Sequence, residues 1–283
     1  MRIVRTVSEV RAAVAAARAD GGTIGLVPTM GAFHEGHLSL MRAARADSEL
    51  VVVSLFVNPV QFGAGEDLGA YPRDEQRDAG LARAEGVDIL FAPAVDEIYP
   101  DGFATSIHVS GITDVLCGAR RGPHHFDGVA TVVAKLFGIV APDVAYFGQK
   151  DAQQVLVVRR LVRDLNIPVR IVACPTVREP DGLAMSSRNA YLDPGARARA
   201  TALNRALAAA ADIVDRGERS AGAVLAAADA VLADAGIEPE YLELRDAGDL
   251  HELSRIDGEA LLAVAARVGA ARLIDNRILR GEA

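Results

Sequence analysis

Two histidines three residues apart stand out in Pro28-Thr29-Met30-Gly31-Ala32-Phe33-His34-Glu35-Gly36-His37. The apolar run Thr23-Ile24-Gly25-Leu26-Val27 precedes them, and Leu38–Ala44 after them reads as a helix. A strand therefore ends, a glycine-containing loop turns, and both imidazoles fall where a helix begins. A helix N-terminus offers backbone N–H groups and the positive end of its dipole, which suits phosphate. Imidazoles placed there can hydrogen-bond phosphate oxygens and stabilise charge that develops during group transfer.

Four other segments hold residues of chemical interest. Ser54–Phe62 ends in Asn58-Pro59-Val60-Gln61, two neutral amides that both give and accept hydrogen bonds, as a hydroxy acid requires. Phe147-Gly148-Gln149-Lys150-Asp151-Ala152-Gln153-Gln154 closes a strand and opens a helix. There Lys150 is a point charge for phosphate, Asp151 an N-cap, and Gln154 lies one helical turn further on. Of the chain's 30 basic residues only Lys135 and Lys150 are lysines, which marks Lys150 as a place where guanidinium does not serve. Ala184-Met185-Ser186-Ser187-Arg188-Asn189 offers two hydroxyls and an arginine, and is similar to a degenerate Lys-Met-Ser-Lys-Ser loop of class I aminoacyl-tRNA synthetases. Cys117–Gly128 reads as a Gly/Pro loop with Arg120, Arg121, His124 and His125, either a mobile cationic lid or an exposed basic loop.

These residues need a scaffold. Short Val/Ile/Leu-rich runs at Ile24–Pro28, Leu50–Val57, Asp88–Ala92, Asp143–Phe147 and Val169–Cys174 alternate with helical stretches at Val7–Ala19, Leu38–Ala46, Asp74–Glu85, Gly128–Val140 and Ala152–Leu165. That alternation predicts a Rossmann-like, doubly wound parallel sheet over residues 1–175, buried on both faces. Ser106–Ser110 is a candidate extra strand. From residue 176 to 283 the pattern changes to two Ala-rich helices, Pro194–Arg216 and Ala221–Ala235, and three strands, Pro239–Leu244, Leu261–Val268 and Arg272–Ile278. This predicts a smaller α+β C-terminal domain covering the site.

The chain's 283 residues, 51% of them hydrophobic, suffice for one or two cored domains. A net charge of −8 argues against a nucleic-acid surface. Cys117 and Cys174 fit no metal spacing and read as reduced, buried thiols. Met1–Thr6 lacks a signal-peptide apolar stretch, and no run of about eighteen apolar residues occurs. A soluble cytoplasmic protein with no membrane partner is expected.

Pro28–His37, Phe56–Phe62, Phe147–Gln154 and Met185–Asn189 together resemble, in order and spacing, the pantoate–β-alanine ligase family. Tyr71-Pro72-Arg73, Val177-Arg178-Glu179, Tyr241-Leu242-Glu243 and Leu273-Ile274-Asp275-Asn276 extend the resemblance over nearly the whole chain. It implies a homodimeric enzyme that joins pantoate to β-alanine with ATP, releasing AMP and pyrophosphate. It implies that Met30, Gly31, Ala32, Phe33, His34, Glu35, Gly36 and His37 line the ATP site, with His34, His37 and Lys150 catalytic and His37 as general acid. Gly148, Gln149, Lys150, Asp151, Val177, Met185, Ser186, Ser187 and Arg188 match the other nucleotide-binding positions. Gln61 and Gln154 match the pantoate-holding glutamines, Gln61 also lying near β-alanine, and Asn58 joins this set as the neighbouring amide. Some members hold Mg²⁺ on the helix after Tyr-Pro-Arg. Here Asp78 matches, but Arg77 and Leu81 stand at neighbouring ligand positions.

The residues also admit a nucleotidyltransferase that acts on a phosphorylated metabolite, or a nucleotide-sensing module without turnover. The neutral Asn58, Gln61 and Gln154 favour a carboxylate- and hydroxyl-bearing substrate over a second phosphate.

Overall fold

The computed structural model describes residues 1–63, 65 and 68–281. Two compact units emerge. The first takes in Met1–Asp114, Gly118–Gln149 and Gln153–Pro175. The second takes in the chain from Thr176 on, with two short pieces, Val115–Cys117 and Lys150–Ala152.

In chain order the first elements are β1 Arg2–Val4, α1 Val7–Ala19, β2 Ile24–Thr29, α2 Glu35–Asp47, β3 Leu50–Leu55, α3 Glu75–Ala84 and β4 Ile89–Phe91. Then come α4 Val95–Ile98, α5 Leu116–Arg121, α6 Pro123–Val140, β5 Val144–Gly148, α7 Ala152–Asp164 and β6 Arg170–Cys174. Among the described residues the six strands pair in the order β1-β4-β3-β2-β5-β6, all neighbours parallel. Ile24, Leu26, Val27, Val51, Val52 and Val53 are fully buried, as strands covered on both faces must be. Helices supply the cover: α2 turns Leu40, Met41 and Ala44 onto the sheet, joining Val27, Val51 and Val53 in one core. Burying each of the larger of these side chains contributes about 1.5–3 kcal/mol. This is the doubly wound, Rossmann-like architecture. From β2 the chain proceeds outward through β3 to β4, then returns to place β5 on the other side of β2. The carboxyl ends of β2 and β5 therefore flank the switch point, where open α/β sheets bind ligands.

The second unit contains α8 Pro194–Ala200, α9 Ala202–Asp215, α10 Ala221–Asp234, β7 Pro239–Asp246, β8 Glu259–Val268 and β9 Ala271–Arg280. Its three strands form an antiparallel sheet, β7-β8-β9. Ala206, Leu207, Ala210 and Val214 of α9 share a core with Ala228 and Leu232 of α10 and with Leu262, Val264 and Ala266 of β8. The alanines let the helices approach closely.

Four local readings need correction. Ser106–Ser110 is not a strand: the Ile107 amide donates to the Thr131 side chain of α6 at 2.9 Å, outside any ladder. The Cys117–Gly128 stretch is not a loop but the body of α5 and the start of α6, with Pro123 in the first turn, where its missing N–H is harmless. Pro194–Arg216 is two helices that meet at Thr201, whose hydroxyl donates to the Ala198 carbonyl. The three-residue β1 is too short to leave a pattern.

Candidate active site

The loop after β2 is bound from beneath. Gly31 has φ +89° and Ala32 φ +52°, both in the left-handed region. A Cβ on Gly31 would lie 2.6 Å from Leu55 Cδ1 and 3.1 Å from Asp78 Oδ2, so glycine is required there. Asp78, on α3 and only 1% exposed, accepts from the Ala32 amide at 2.7 Å and the Phe33 amide at 2.8 Å, one on each carboxylate oxygen. Burial pushes its carboxyl above the ordinary value, while these two amides oppose that shift. Asp78 thereby sets the path of the chain into His34.

The two histidines cap α2 reciprocally. His34 Nδ1 accepts the Gly36 amide at 3.1 Å, and His37 Nδ1 accepts the His34 amide at 3.4 Å. This is a capping box built from imidazoles in place of Ser and Glu. A ring nitrogen that accepts an N–H carries no proton, so each neutral ring is protonated on Nε2. The rings lie 4.2 Å apart between centroids, and Phe33 lies 5.5 Å from His37. The caps that start the helix therefore also fix both tautomers, with Nε2–H as the donor of each ring.

A second element converges on the Met30 loop. Pro59–Gln61 forms one 3-10 turn after β3, with Asn58 as its N-cap. Gln61 Nε2 donates to Met30 Sδ at 3.0 Å, joining the amide segment to the histidine segment. Asn58 is 1% exposed and fully engaged. Its Nδ2 donates to Gln61 Oε1 at 3.2 Å and Gly128 O at 3.0 Å, and its Oδ1 accepts from Val60 N at 3.3 Å and Tyr99 Oη at 2.8 Å. All its donor and acceptor positions are used inside the protein, and what it does is hold Gln61.

His125, read from sequence as part of a basic loop, is buried in the first turns of α6. Its Nδ1 donates to the Gln61 carbonyl at 3.0 Å and its Nε2 accepts from Arg121 Nη1 at 3.0 Å. A carbonyl only accepts and a guanidinium only donates, so His125 is neutral and fixed in one tautomer. Close approach of α6 to the turn needs Gly128, where a Cβ would lie 2.6 Å from Gln61 Cα. Sequence reasoning missed both supports; the signal was Pro123, an N1 proline that starts a helix before His125. Gln154 is half-buried on α7, and its neighbour Gln153 donates to the Ile112 carbonyl at 2.8 Å.

The second unit holds its own group of nucleotide-matched residues. Gln149–Asp151 is a 3-10 turn that runs directly into α7, with Asp151 the residue before its first turn. Lys150 Nζ lies 3.7 Å from Asp151 Oδ1, and its side chain is 21% exposed. The Lys150 carbonyl accepts from Asn276 Nδ2 at 2.8 Å. Asn276 is held in turn by Asp275 Oδ1, and Asp275 forms a two-pronged ion pair with Arg178 at 2.6 and 3.0 Å. Val177 O accepts the Met185 amide at 3.0 Å, which pairs two matched segments. Ser186 caps the 3-10 turn Ser187–Tyr191 by accepting the Arg188 amide. The signal for these supports in the sequence was a polar pair, Asp275 and Asn276, in the middle of strand β9, where both are buried.

The residues matched to magnesium do not fit direct ligation. Asp78 uses both oxygens on backbone amides, Arg77 Nη1 lies 3.4 Å from Asp78 Oδ1, and Leu81 offers no donor atom. Among the described residues one group has metal-ligand proximity, Asp246, Asp249 and His251 at the end of β7. Cys117 and Cys174 are buried and not joined in a disulfide, as expected, and Cys117 Sγ lies 3.1 Å from Tyr241 Oη.

A doubly wound sheet whose switch point carries a histidine-capped helix defines an α/β nucleotide-binding protein. Residues 2–278 match the family model described as pantoate-beta-alanine ligase, and the chain belongs to that family. Pantothenate synthetase of Moorella thermoacetica is 55% identical over 280 residues, 99% of either chain. That of Roseiflexus castenholzii is 56% identical over the same extent. The crystal structure of pantothenate synthetase from Thermus thermophilus superposes with a TM-score of 0.93 at 50% identity, covering 98% of this chain and 99% of that one. A Francisella tularensis pantoate-beta-alanine ligase, solved with beta-gamma ATP and beta-alanine, gives a TM-score of 0.79 at 33% identity over 98% and 97% of the two chains.

Proposed function

We propose that this chain condenses (R)-pantoate with β-alanine through a pantoyl-adenylate intermediate. A pantoate carboxylate oxygen attacks the α-phosphorus of ATP, and the bond to pyrophosphate breaks. Negative charge builds on the phosphoryl oxygens and on the leaving group. His34 and His37 meet it with Nε2–H donors, His37 also giving a proton as general acid. Lys150, Ser186, Ser187 and Arg188 supply further donors. The amine of β-alanine then attacks the acyl carbon, AMP leaves, and the amine loses a proton to solvent. No protein nucleophile is needed, so catalysis rests on positioning and preorganised electrostatics.

One observation carries this reading: a tautomer-fixed histidine pair at a helix N-terminus, joined through Met30 to the neutral amide of Gln61. Such a pair suits phosphate, and such an amide suits a hydroxy acid. Gln61 and Gln154 are assigned to pantoate, with Gln61 also near β-alanine. Mg²⁺ accompanies ATP as its counter-ion, held by phosphates and water instead of Asp78. We read the enzyme as a cytoplasmic homodimer; among the described residues no helix is long and apolar enough to cross a membrane. The test is direct. Purified protein given ATP, Mg²⁺, pantoate and β-alanine is expected to form AMP and pantothenate in equal amounts. AMP formation that ignores β-alanine and yields no amide would refute the reading.

A further inference from the structure

We propose that Tyr99 is a positioning residue for this reaction, acting through Asn58 to hold the Gln61 amide in place. The proposal rests on the assignment of pantoate to Gln61.

The polarity of the chain of amides follows from its fixed ends. Val60 N–H can only donate and Gly128 C=O can only accept, so Asn58 must turn Oδ1 to the first and Nδ2 to the second. The other Nδ2 hydrogen goes to Gln61, so the atom facing it is Oε1. Gln61 Nε2 is then on the Met30 side, at 3.0 Å from its sulfur. Gln61 thus presents an N–H donor towards the histidine loop, suited to a carboxylate or hydroxyl oxygen.

Tyr99 completes this arrangement from the far side. Its hydroxyl donates to Asn58 Oδ1 at 2.8 Å, shorter than the 3.3 Å bond from Val60. The ring is held by Phe103 at 5.0 Å, Phe56 at 6.2 Å and Lys135 Nζ at 5.9 Å. Burial pushes the phenol up to about 12, so the hydroxyl remains a donor over the working pH range. Lys135, the second of the chain's two lysines, gains a role here as a cation above Phe103 at 4.6 Å. Without the hydroxyl, buried Oδ1 keeps only its longer bond. The Asn58 amide then gains torsional freedom, and Gln61 gains it too.

The test uses Tyr99→Phe, Gln61→Ala and the double variant in the full chain, with KM for pantoate and for ATP and the thermal midpoint. Tyr99→Phe is expected to raise the pantoate KM about threefold to tenfold, the effect of one neutral hydrogen bond, while the ATP KM and the midpoint stay near wild type. In the Gln61→Ala background the same change is expected to add nothing, because Tyr99 acts through Gln61. Asn58→Asp, which cannot donate to Gln61 Oε1, is the second variant and is expected to show the same pantoate-specific loss. An unchanged pantoate KM in Tyr99→Phe, equal losses for ATP and pantoate, or additive effects in the double variant would overturn the proposal. A wild-type pantoate KM in Gln61→Ala would instead overturn the assignment of pantoate to Gln61.

Discussion

His37 does two jobs with two nitrogens. Its Nδ1 receives the His34 amide, and its Nε2 is the atom assigned the proton in the proposed mechanism. On the proposed mechanism His37→Ala therefore removes a cap as well as a donor to the reacting phosphate. The losses separate by measurement: kcat is expected to fall by a factor equivalent to about 3–4 kcal/mol, with a much smaller change in ATP binding. An unchanged kcat in the folded variant would remove His37 from the mechanism. Asp78 offers a contrasting case. Asp78→Asn replaces one acceptor oxygen with an NH₂ group, which then faces an amide N–H. The variant is expected to lose about 1–3 kcal/mol in urea unfolding, the range for a buried group left unpaired, and to lose kcat that added Mg²⁺ does not restore. Full restoration by excess Mg²⁺ would make Asp78 a ligand after all.

Among the elements, α6 governs the placement of Gln61, through the Gly128 and His125 contacts. Gly128→Ala puts a Cβ 2.6 Å from Gln61 Cα, so backbone must shift. It is expected to destabilise by about 1–3 kcal/mol, read from the denaturation midpoint, and to raise the pantoate KM. A variant with wild-type values for both would show that the turn is not held by α6. The elements that carry the site were legible in the sequence for a physical reason. The strands from β2 to β5 are largely buried and read as apolar runs, and the helix expected over Val7–Ala19 is α1. The histidines stand where a strand passes into a helix, a position that suits phosphate. What the pattern did not carry was long-range hydrogen bonding. Nothing local in the sequence reveals the Asn58 partners Tyr99 and Gly128, respectively 41 and 70 residues away. His125 read as part of a basic loop because its partner, the Gln61 carbonyl, lies 64 residues back. The match of Asp78 to a metal position came from the family resemblance, and nothing local reveals that amides 45 and 46 residues earlier bond its oxygens.

At the scale of the whole molecule, the second unit ties its nucleotide-matched segment together with charge. Arg197 bonds both oxygens of Glu179 at 3.0 and 2.9 Å, and Asn189 donates to Glu179 Oε1 at 2.9 Å. Arg197 holds the Glu179 carboxyl below its ordinary value, with burial opposing and Asn189 assisting. A depressed carboxyl contributes stability above its unfolded pKa, near 4.3, and loses it as pH falls through the folded value. Glu179→Gln is therefore expected to cost on the order of 1 kcal/mol or less at pH 7 and to flatten the acid limb of a stability–pH curve below about pH 4.3. An acid limb identical to wild type would exclude this pair as its source. The account as a whole turns on one species, the acyl adenylate, since every assigned group serves charge at the α-phosphate or holds the acid beside it. Rapid quench of the enzyme with ATP and pantoate, without β-alanine, measures it. Pyrophosphate released in a burst of about one per site, with pantoyl adenylate retained on the enzyme, is the expected result; ADP and inorganic phosphate would contradict the account.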